Sequence, residues 1–190
     1  FWLIHVPGEA PGAIDASGAA AAAASIEWYR DRGVEQSVPF RGGVAANTVA
    51  GTVSGWGAAY QISRRALRGR LPLTRLLEDA IHYAERGIVV TASQALNTAN
   101  KKAELSPQPG FAETFLVEGK APAAGSVFAQ KRLGATLRRI AKAGTEDFYR
   151  GELARAIARD LGRAGSPLTA ADLATHRARL RDPLALAHSA

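Results

Sequence analysis

Apolar positions along the chain follow two spacings, one near two residues and one near 3.6, and the switch between them divides it. Phe1, Trp2, Leu3, Ile4 and Val6 form a nearly unbroken apolar run, the pattern of a buried strand. Pro7, Gly8, Pro11 and Gly12 punctuate a turn, and Ala13, Ile14 and Asp15 resume extended structure, so a hairpin is predicted. The alanines at 19–24 lead into Ser25-Ile26-Glu27-Trp28-Tyr29-Arg30. Alanine is the best helix former, which predicts one helix from the alanine run to Arg30, stopped at Gly33.

Residues 42–56 are short-sided, apolar and interrupted by glycines. Val44 to Val49 predicts a strand, since β-branched residues suit a pleated, buried surface. Gly51 predicts a turn at positive φ, where a Cβ would clash. Thr52 or Ser54 would cap the helix that follows, running to about Arg68. Leu73, Leu76, Leu77, Ala80, Ile81 and Ala84 then recur at helical spacing, predicting one amphipathic helix ended by Gly87.

Residues 91–104 read as a polar helix, 106–110 as a loop, 111–115 as one helical turn and 118–126 as a further loop. Leu133, Leu137, Ile140 and Ala141 mark a helix stopped at Gly144. Thr145 is the expected cap of the next, with Tyr149, Leu153, Ala156, Ile157 and Leu161 on one face. Thr169 and Asp172 form a capping-box pattern, and residues 179–190 return to extended structure. There is no internal repeat. Strands, then mostly helices, then a strand predict a helix-rich α+β or α/β fold.

Composition narrows the class. A chain of 190 residues that is 47% hydrophobic can bury one core. It holds no apolar run of about 18 residues, so no membrane span is predicted, and no signal-peptide pattern. Cysteine is absent, which excludes disulfides and thiolate metal sites but fixes no compartment. Methionine is also absent, and both ends are apolar. Domain termini are usually polar and exposed, so the expectation is a single segment, 1–190, of a longer or processed polypeptide, incomplete at both ends. The net charge of +7 gathers around Lys131, Arg132, Arg138, Arg139, Lys142 and Arg150. Glu146, Asp147, Glu152 and Asp160 are interspersed there and no nucleic-acid module is present. Solvated helix faces explain the charge, and no nucleic-acid partner is expected.

The residues alone supply no catalytic set. Ser54 sits in Gly-Thr-Val-Ser-Gly, which has the wrong spacing for a nucleophile elbow. There is no phosphate loop, and Gly55-Trp56-Gly57 lacks the third glycine of a dinucleotide fingerprint. His5, His82, His176 and His188 are far apart and read as half-buried or surface histidines rather than ligands or bases.

Several segments carry a resemblance. Val49-Ala50-Gly51-Thr52-Val53-Ser54-Gly55-Trp56 is similar to the Val-Pro-Gly-Thr-Val-x-Gly segment of the γ-glutamyltranspeptidase family. Three more agree in the family's order. The first joins Leu71-Pro72-Leu73 and Leu76-Leu77-Glu78-Asp79-Ala80-Ile81 to Ala84-Glu85-Arg86-Gly87-Ile88-Val89-Val90. The next joins Leu137-Arg138-Arg139-Ile140-Ala141 to Asp147-Phe148-Tyr149-Arg150-Gly151-Glu152. The last joins Leu168-Thr169-Ala170-Ala171-Asp172-Leu173 to Arg181-Asp182-Pro183-Leu184.

This resemblance implies an N-terminal nucleophile hydrolase with an αββα sandwich, made as one chain that cleaves itself into a large and a small subunit. The nucleophile would be the threonine that begins the small subunit, with its free α-amino group helping as base. The present chain would then be a helix-rich part of the large subunit, carrying no catalytic residue. Its partners would be the remainder of the precursor and a small acyl amide, turned over through an acyl-enzyme without metal or organic cofactor.

One departure bears on substrate. The transpeptidases resembled carry Asp-x-Arg after the first hairpin, and that arginine pairs with the α-carboxylate of the γ-glutamyl group, a task suited to its planar fork. Here the segment is Asp15-Ala16-Ser17-Gly18. Ser17 in place of arginine points away from γ-glutamyl transfer and toward the acylase-like branch, related to cephalosporin acylases. Ser17 has a second reading as the N-cap of the alanine helix. Arg41, on another loop, is the candidate replacement cation. Two other functions remain: an inactive binding or scaffold domain that keeps the fold, and, last, a basic nucleic-acid binder.

Overall fold

The computed structural model describes residues 1–186, so Ala187 and His188, at the end of the expected extended segment, lie outside the described residues. The hairpin forms as expected. Strand β1 (Trp2–Ile4) pairs antiparallel with β2 (Gly12–Asp15), with Trp2 opposite Ile14. Strand β5 (Arg179–Arg181) pairs with the other edge of β2, placing Arg179 opposite Asp15. The order β1-β2-β5 therefore brings the two ends of the described chain into one sheet, and Ile14 in its middle strand is 1% exposed.

The alanine run departs from expectation. Only α1 (Ile26–Arg30) is helical, and its N-cap is Ser25, whose Oγ accepts the Trp28 N–H at 3.1 Å. Residues 19–21 instead lie extended against 47–49. The Ala21 N–H donates to the Asn47 carbonyl at 2.8 Å, and the Val49 N–H to the Ala19 carbonyl at 3.0 Å. Helix propensity is worth only tenths of a kcal/mol per residue, and small side chains let two backbones meet. Ser17 consequently caps no helix. The strand expected over 44–49 shrinks to that contact, because residues Gly43–Ala45 form a 3-10 turn.

Gly51 also differs. Its φ is −85°, an ordinary right-handed value, and it is the N-cap of α2 (Thr52–Ala66), which neither Thr52 nor Ser54 caps. Glycine is required there by contact: a Cβ would lie 1.7 Å from the Ala16 carbonyl oxygen.

Helix α3 (Leu73–Leu76) and α4 (Glu78–Arg86) divide the expected amphipathic helix at Leu77, and Gly87 ends it at φ 97°. Two-residue strands β3 (Ile88–Val89) and β4 (Val127–Phe128), too short to show a period, pair antiparallel. Between them lie α5 (Ala92–Leu105), capped by Thr91, and α6 (Phe111–Phe115). Helix α7 (Lys131–Ala143) stops at Gly144.

The next expected helix is broken at Gly151 into α8 (Asp147–Arg150) and α9 (Glu152–Arg163), and Thr145 does not cap it. The break is held by Asp147, whose carboxylate accepts the Glu152 N–H at 3.0 Å. Helix α10 (Ala170–Thr175) carries the expected capping box of Thr169 and Asp172.

The core gathers Val49 and Val53 with Ile140, Tyr149, Ala154, Leu168 and Leu173. Ile81, Ala84 and Leu137 form a second cluster between α4 and α7, and Trp56 and Leu77 pack against both. The result is a mixed, helix-rich α/β arrangement, with the three-stranded sheet against α2.

Candidate functional site

Where β2 ends, the chain leaves the sheet toward α10 and opens a cavity of about 620 Å³. Asp15 at the end of β2 and Ser17 just beyond it line one side, Asp172 and His176 line it from α10 and its C-terminus, and Arg177 and Arg179 from the approach to and start of β5. Other cavities carry less chemistry. A groove of about 760 Å³ between α4 and α7 is lined by Arg75, Glu78, Glu85 and Arg138. Both of its carboxylates are paired, Glu85 with Arg138 and Glu78 with Arg75.

Each group in the site is fixed by local structure. The Asp15 carboxylate accepts the Ser17 N–H at 2.9 Å. That bond holds its pKa below the ordinary value, with the Arg181 and Arg179 charges adding to the effect. Asp172 is buried, which alone would raise its pKa. The Thr169 hydroxyl at 2.6 Å and the N–H groups of Ala22 and Thr169, each at 2.8 Å, outweigh burial and keep it low. Both carboxylates are therefore charged near neutral pH.

His176 is 6% exposed, and its Nε2 has no hydrogen-bond partner among the described residues. Burial lowers its pKa, and the Arg150 and Arg179 charges lower it further, so the ring is neutral at pH 7. It lies against the Tyr149 ring, with centroids 5.3 Å apart. The Tyr149 hydroxyl donates to the Ala50 carbonyl at 2.7 Å and accepts the Ser54 N–H at 2.9 Å. The Ser54 hydroxyl in turn accepts the Ala178 N–H at 2.7 Å, which fixes the backbone one residue before Arg179.

Ser17 is thus on the cavity wall and exposed. Arg41 is not beside it. Its Nε donates to Glu104 on α5 at 2.7 Å, its guanidinium lies over the Phe40 ring, and it does not line this cavity. The cations the structure does bring to Ser17 are Arg177 and Arg179. The sequence reading missed them because the pairing of β2 with β5 is not written in any local pattern. Among the described residues, no cluster of three or more His, Asp or Glu side chains is placed to hold a metal ion, and no helix is long and apolar enough to cross a membrane. Two guanidinium groups and two carboxylates thus line the cavity around the Ser17 hydroxyl, and both carboxylates accept hydrogen bonds from the protein itself.

A family model described as gamma-glutamyltranspeptidase matches residues 1–189. The oxamate amidohydrolase proenzyme of Klebsiella pneumoniae is 53% identical over 188 residues, covering 99% of this chain and 35% of that protein. Among solved structures, cephalosporin acylase from Bacillus halodurans is 32% identical with a TM-score of 0.85, over 97% of this chain and 34% of that one. The gamma-glutamyltranspeptidase of Helicobacter pylori is 26% identical with a TM-score of 0.85, over 96% of this chain and 52% of that one. The chain spans about a third of the length of the curated relatives it matches.

Proposed function

The chain belongs to the γ-glutamyltranspeptidase family, and from that premise we propose that it shapes the acyl pocket of an N-terminal nucleophile amidohydrolase. The nucleophile, a threonine, is supplied by the remainder of the precursor. Its hydroxyl attacks the amide carbonyl of the substrate, the C–N bond breaks, and the amine leaves with a proton delivered by the base. Water then attacks the acyl-enzyme and releases the acid. The role of these 190 residues is to hold and select the acyl group.

The acyl group we assign is that of a small dicarboxylic acid monoamide of the oxamate type rather than γ-glutamyl. The observation that carries this is Ser17 on the cavity wall, at the position where the transpeptidases resembled carry arginine. The 53% identity to an oxamate amidohydrolase proenzyme supports it. The fold does not choose, since the acylase and the transpeptidase superpose equally well. Both substrates carry a carboxylate that costs several kcal/mol in effective terms to bury without a paired cation, but that of oxamate is bonded directly to the amide carbonyl, whereas the γ-glutamyl α-carboxylate lies farther out, where the serine replaces the arginine. A serine hydroxyl recovers about 1 kcal/mol.

The test is kcat/KM of the complete processed protein for oxamate against a γ-glutamyl anilide. We expect oxamate to lead by about two orders of magnitude, since about 1.4 kcal/mol is tenfold, and Ser17→Arg to raise γ-glutamyl turnover. A wild-type preference for the γ-glutamyl anilide would refute the assignment.

A further inference from the structure

The cavity beside Ser17 contains a cation, Arg179, that forms no ion pair among the described residues. Arg179 begins β5 directly opposite Asp15, so the two side chains leave the sheet on the same face, and both line the cavity. Residues so paired have Cβ atoms about 4.5–5.5 Å apart. Yet they form no ion pair. The Asp15 carboxylate is turned to the Ser17 N–H, and among the described residues no carboxylate lies within 4.0 Å of the Arg179 guanidinium.

The neighbouring cations are bonded or placed differently. Arg150 pairs with Glu146 and donates to the His176 carbonyl at 2.9 Å. Arg177 donates to the carbonyls of Ala174 at 2.9 Å and His176 at 2.8 Å, closing the C-terminus of α10. Arg181, two residues along β5, lines a separate cavity with Ile4 and Ala58. His176 is neutral at pH 7 and its Nε2 faces Gly51, where a Cβ would lie 3.1 Å from it. Arg177 and Arg179 both line the cavity, exposed and outside any ion pair among the described residues, but Arg177 spends its Nη1 on two carbonyls, whereas Arg179 makes no side-chain hydrogen bond among the described residues.

We propose that Arg179 is the specificity-determining residue of this pocket, its guanidinium anchoring the free carboxylate of a small dicarboxylic acid monoamide in the cavity it shares with Ser17. The inference rests on the amidohydrolase reading above and adds the group that recognises the substrate. A guanidinium presents two parallel N–H donors that match a carboxylate. Asp15 and Asp172 keep the surrounding field close to balanced, so that an anion without a fork-shaped partner gains little there. The backbone of the anchor is itself fixed, through the Ala178 N–H bond to the Ser54 hydroxyl.

The experiment uses the complete processed protein, wild type, R179Q and R179K, with oxamate, with the neutral diamide oxamide, and with oxalate as a non-reacting probe in titration calorimetry. R179Q is expected to raise KM for oxamate at least 30-fold while kcat stays within about threefold, leaving oxamide turnover unchanged. R179K, which keeps the charge and loses the fork, recovers part of the affinity. Oxalate binds the wild type and not R179Q. The proposal is overturned if R179Q leaves KM for oxamate within twofold, if oxamide turnover falls in parallel, or if oxalate does not bind the wild type. Should R179Q fail to fold, R179K decides, and wild-type oxalate affinity in it overturns the proposal. Oxalate binding that depends on Arg179 in a protein that hydrolyses no oxamate would uphold the anchor and sink the amidohydrolase assignment instead.

Discussion

Tyr149→Phe removes one oxygen from the centre of the molecule. Tyr149 is 1% exposed, and its ring packs in the core cluster with Val49, Val53 and Leu173, so phenylalanine keeps the packing. The loss is confined to two hydrogen bonds, to the Ala50 carbonyl at 2.7 Å and from the Ser54 N–H at 2.9 Å. These matter because the N-cap of α2 is Gly51, which offers no side chain. A hydroxyl from α8, far along the chain, therefore serves one of the orphan donors of the first turn. Burial raises the Tyr149 pKa, so the hydroxyl keeps its proton and its donor role at neutral pH. A fully buried group left unpaired costs about 1–3 kcal/mol, and both of these bonds are only part-buried, which places each in the lower part of that range. The capping contribution, about 1 kcal/mol, is part of the Ser54 share and is not added again. The expected loss is about 2–4 kcal/mol, read as a lower urea midpoint at unchanged slope in the complete processed protein. Amide exchange at Ser54 should quicken by a larger factor than exchange in α7. A loss under about 0.5 kcal/mol would refute the reasoning, because it would mean that the Ala50 and Ser54 backbone groups find other partners.

Two further predictions concern groups outside the pocket. Gly51→Ala fits the observed φ of −85° but drives a Cβ to 1.7 Å from the Ala16 carbonyl oxygen, so backbone must move; overpacking of this kind costs about 1–3 kcal/mol or more, and a wild-type melting temperature would show the approach to be soft. Asp147 is held to a pKa of about 2 by the Arg139 guanidinium, at 2.6 and 3.0 Å, against its burial and with help from the Glu152 and Leu153 N–H groups. Its folded-state pKa lies below the unfolded value, so its contribution is complete above about pH 4 and is lost as pH falls toward about 2. After discounting for the part-exposed arginine it amounts to about 1–2 kcal/mol. Asp147→Asn should therefore lower stability at pH 7 and flatten the acid limb of the unfolding profile between about pH 4 and 2, and an unchanged acid limb would count against the pairing.

The elements legible in the sequence are those whose signal is local. The hairpin of β1 and β2, the helices α5 and α7, and the capping box at Thr169 all follow from patterns within a few residues. The mixed α/β class and the family were legible as well, through ordered segments rather than any one motif. What failed was decided by distant partners. The alanine run reads as helix by propensity, but residues 47–49 claim its backbone donors and acceptors. The breaks at Leu77 and Gly151 interrupt apolar periods that continue across them, and the second depends on where the Asp147 carboxylate lies. Within the site, Ser17 was reachable only through the resemblance. Arg41 lies on a different loop, and its Nε donates to Glu104. Arg179 could be found only once β5 was known to lie against β2.

The glycine-rich segment at 49–55 explains why such a distant pairing is accurate enough to form a pocket. Three close approaches occur around it, two to backbone and one to a side chain: a Cβ on Gly18 would lie 1.7 Å from the Val49 carbonyl oxygen, one on Gly51 1.7 Å from that of Ala16, and one on Gly55 2.9 Å from the Ala16 Cβ. All three press residues 16–18, which carry Ser17, onto the start of α2. From the same helical turn, Ser54 accepts the Ala178 N–H and so sets the entry to β5. One wall of the cavity and its opposite strand are thus referenced to a single turn of backbone, and that turn is held by Tyr149 from α8. Larger side chains at 18, 51 or 55 would displace Ser17 relative to Arg179 without touching either. The small residues of this segment therefore set the position of the cavity walls, independently of the chemistry of the side chains that line them.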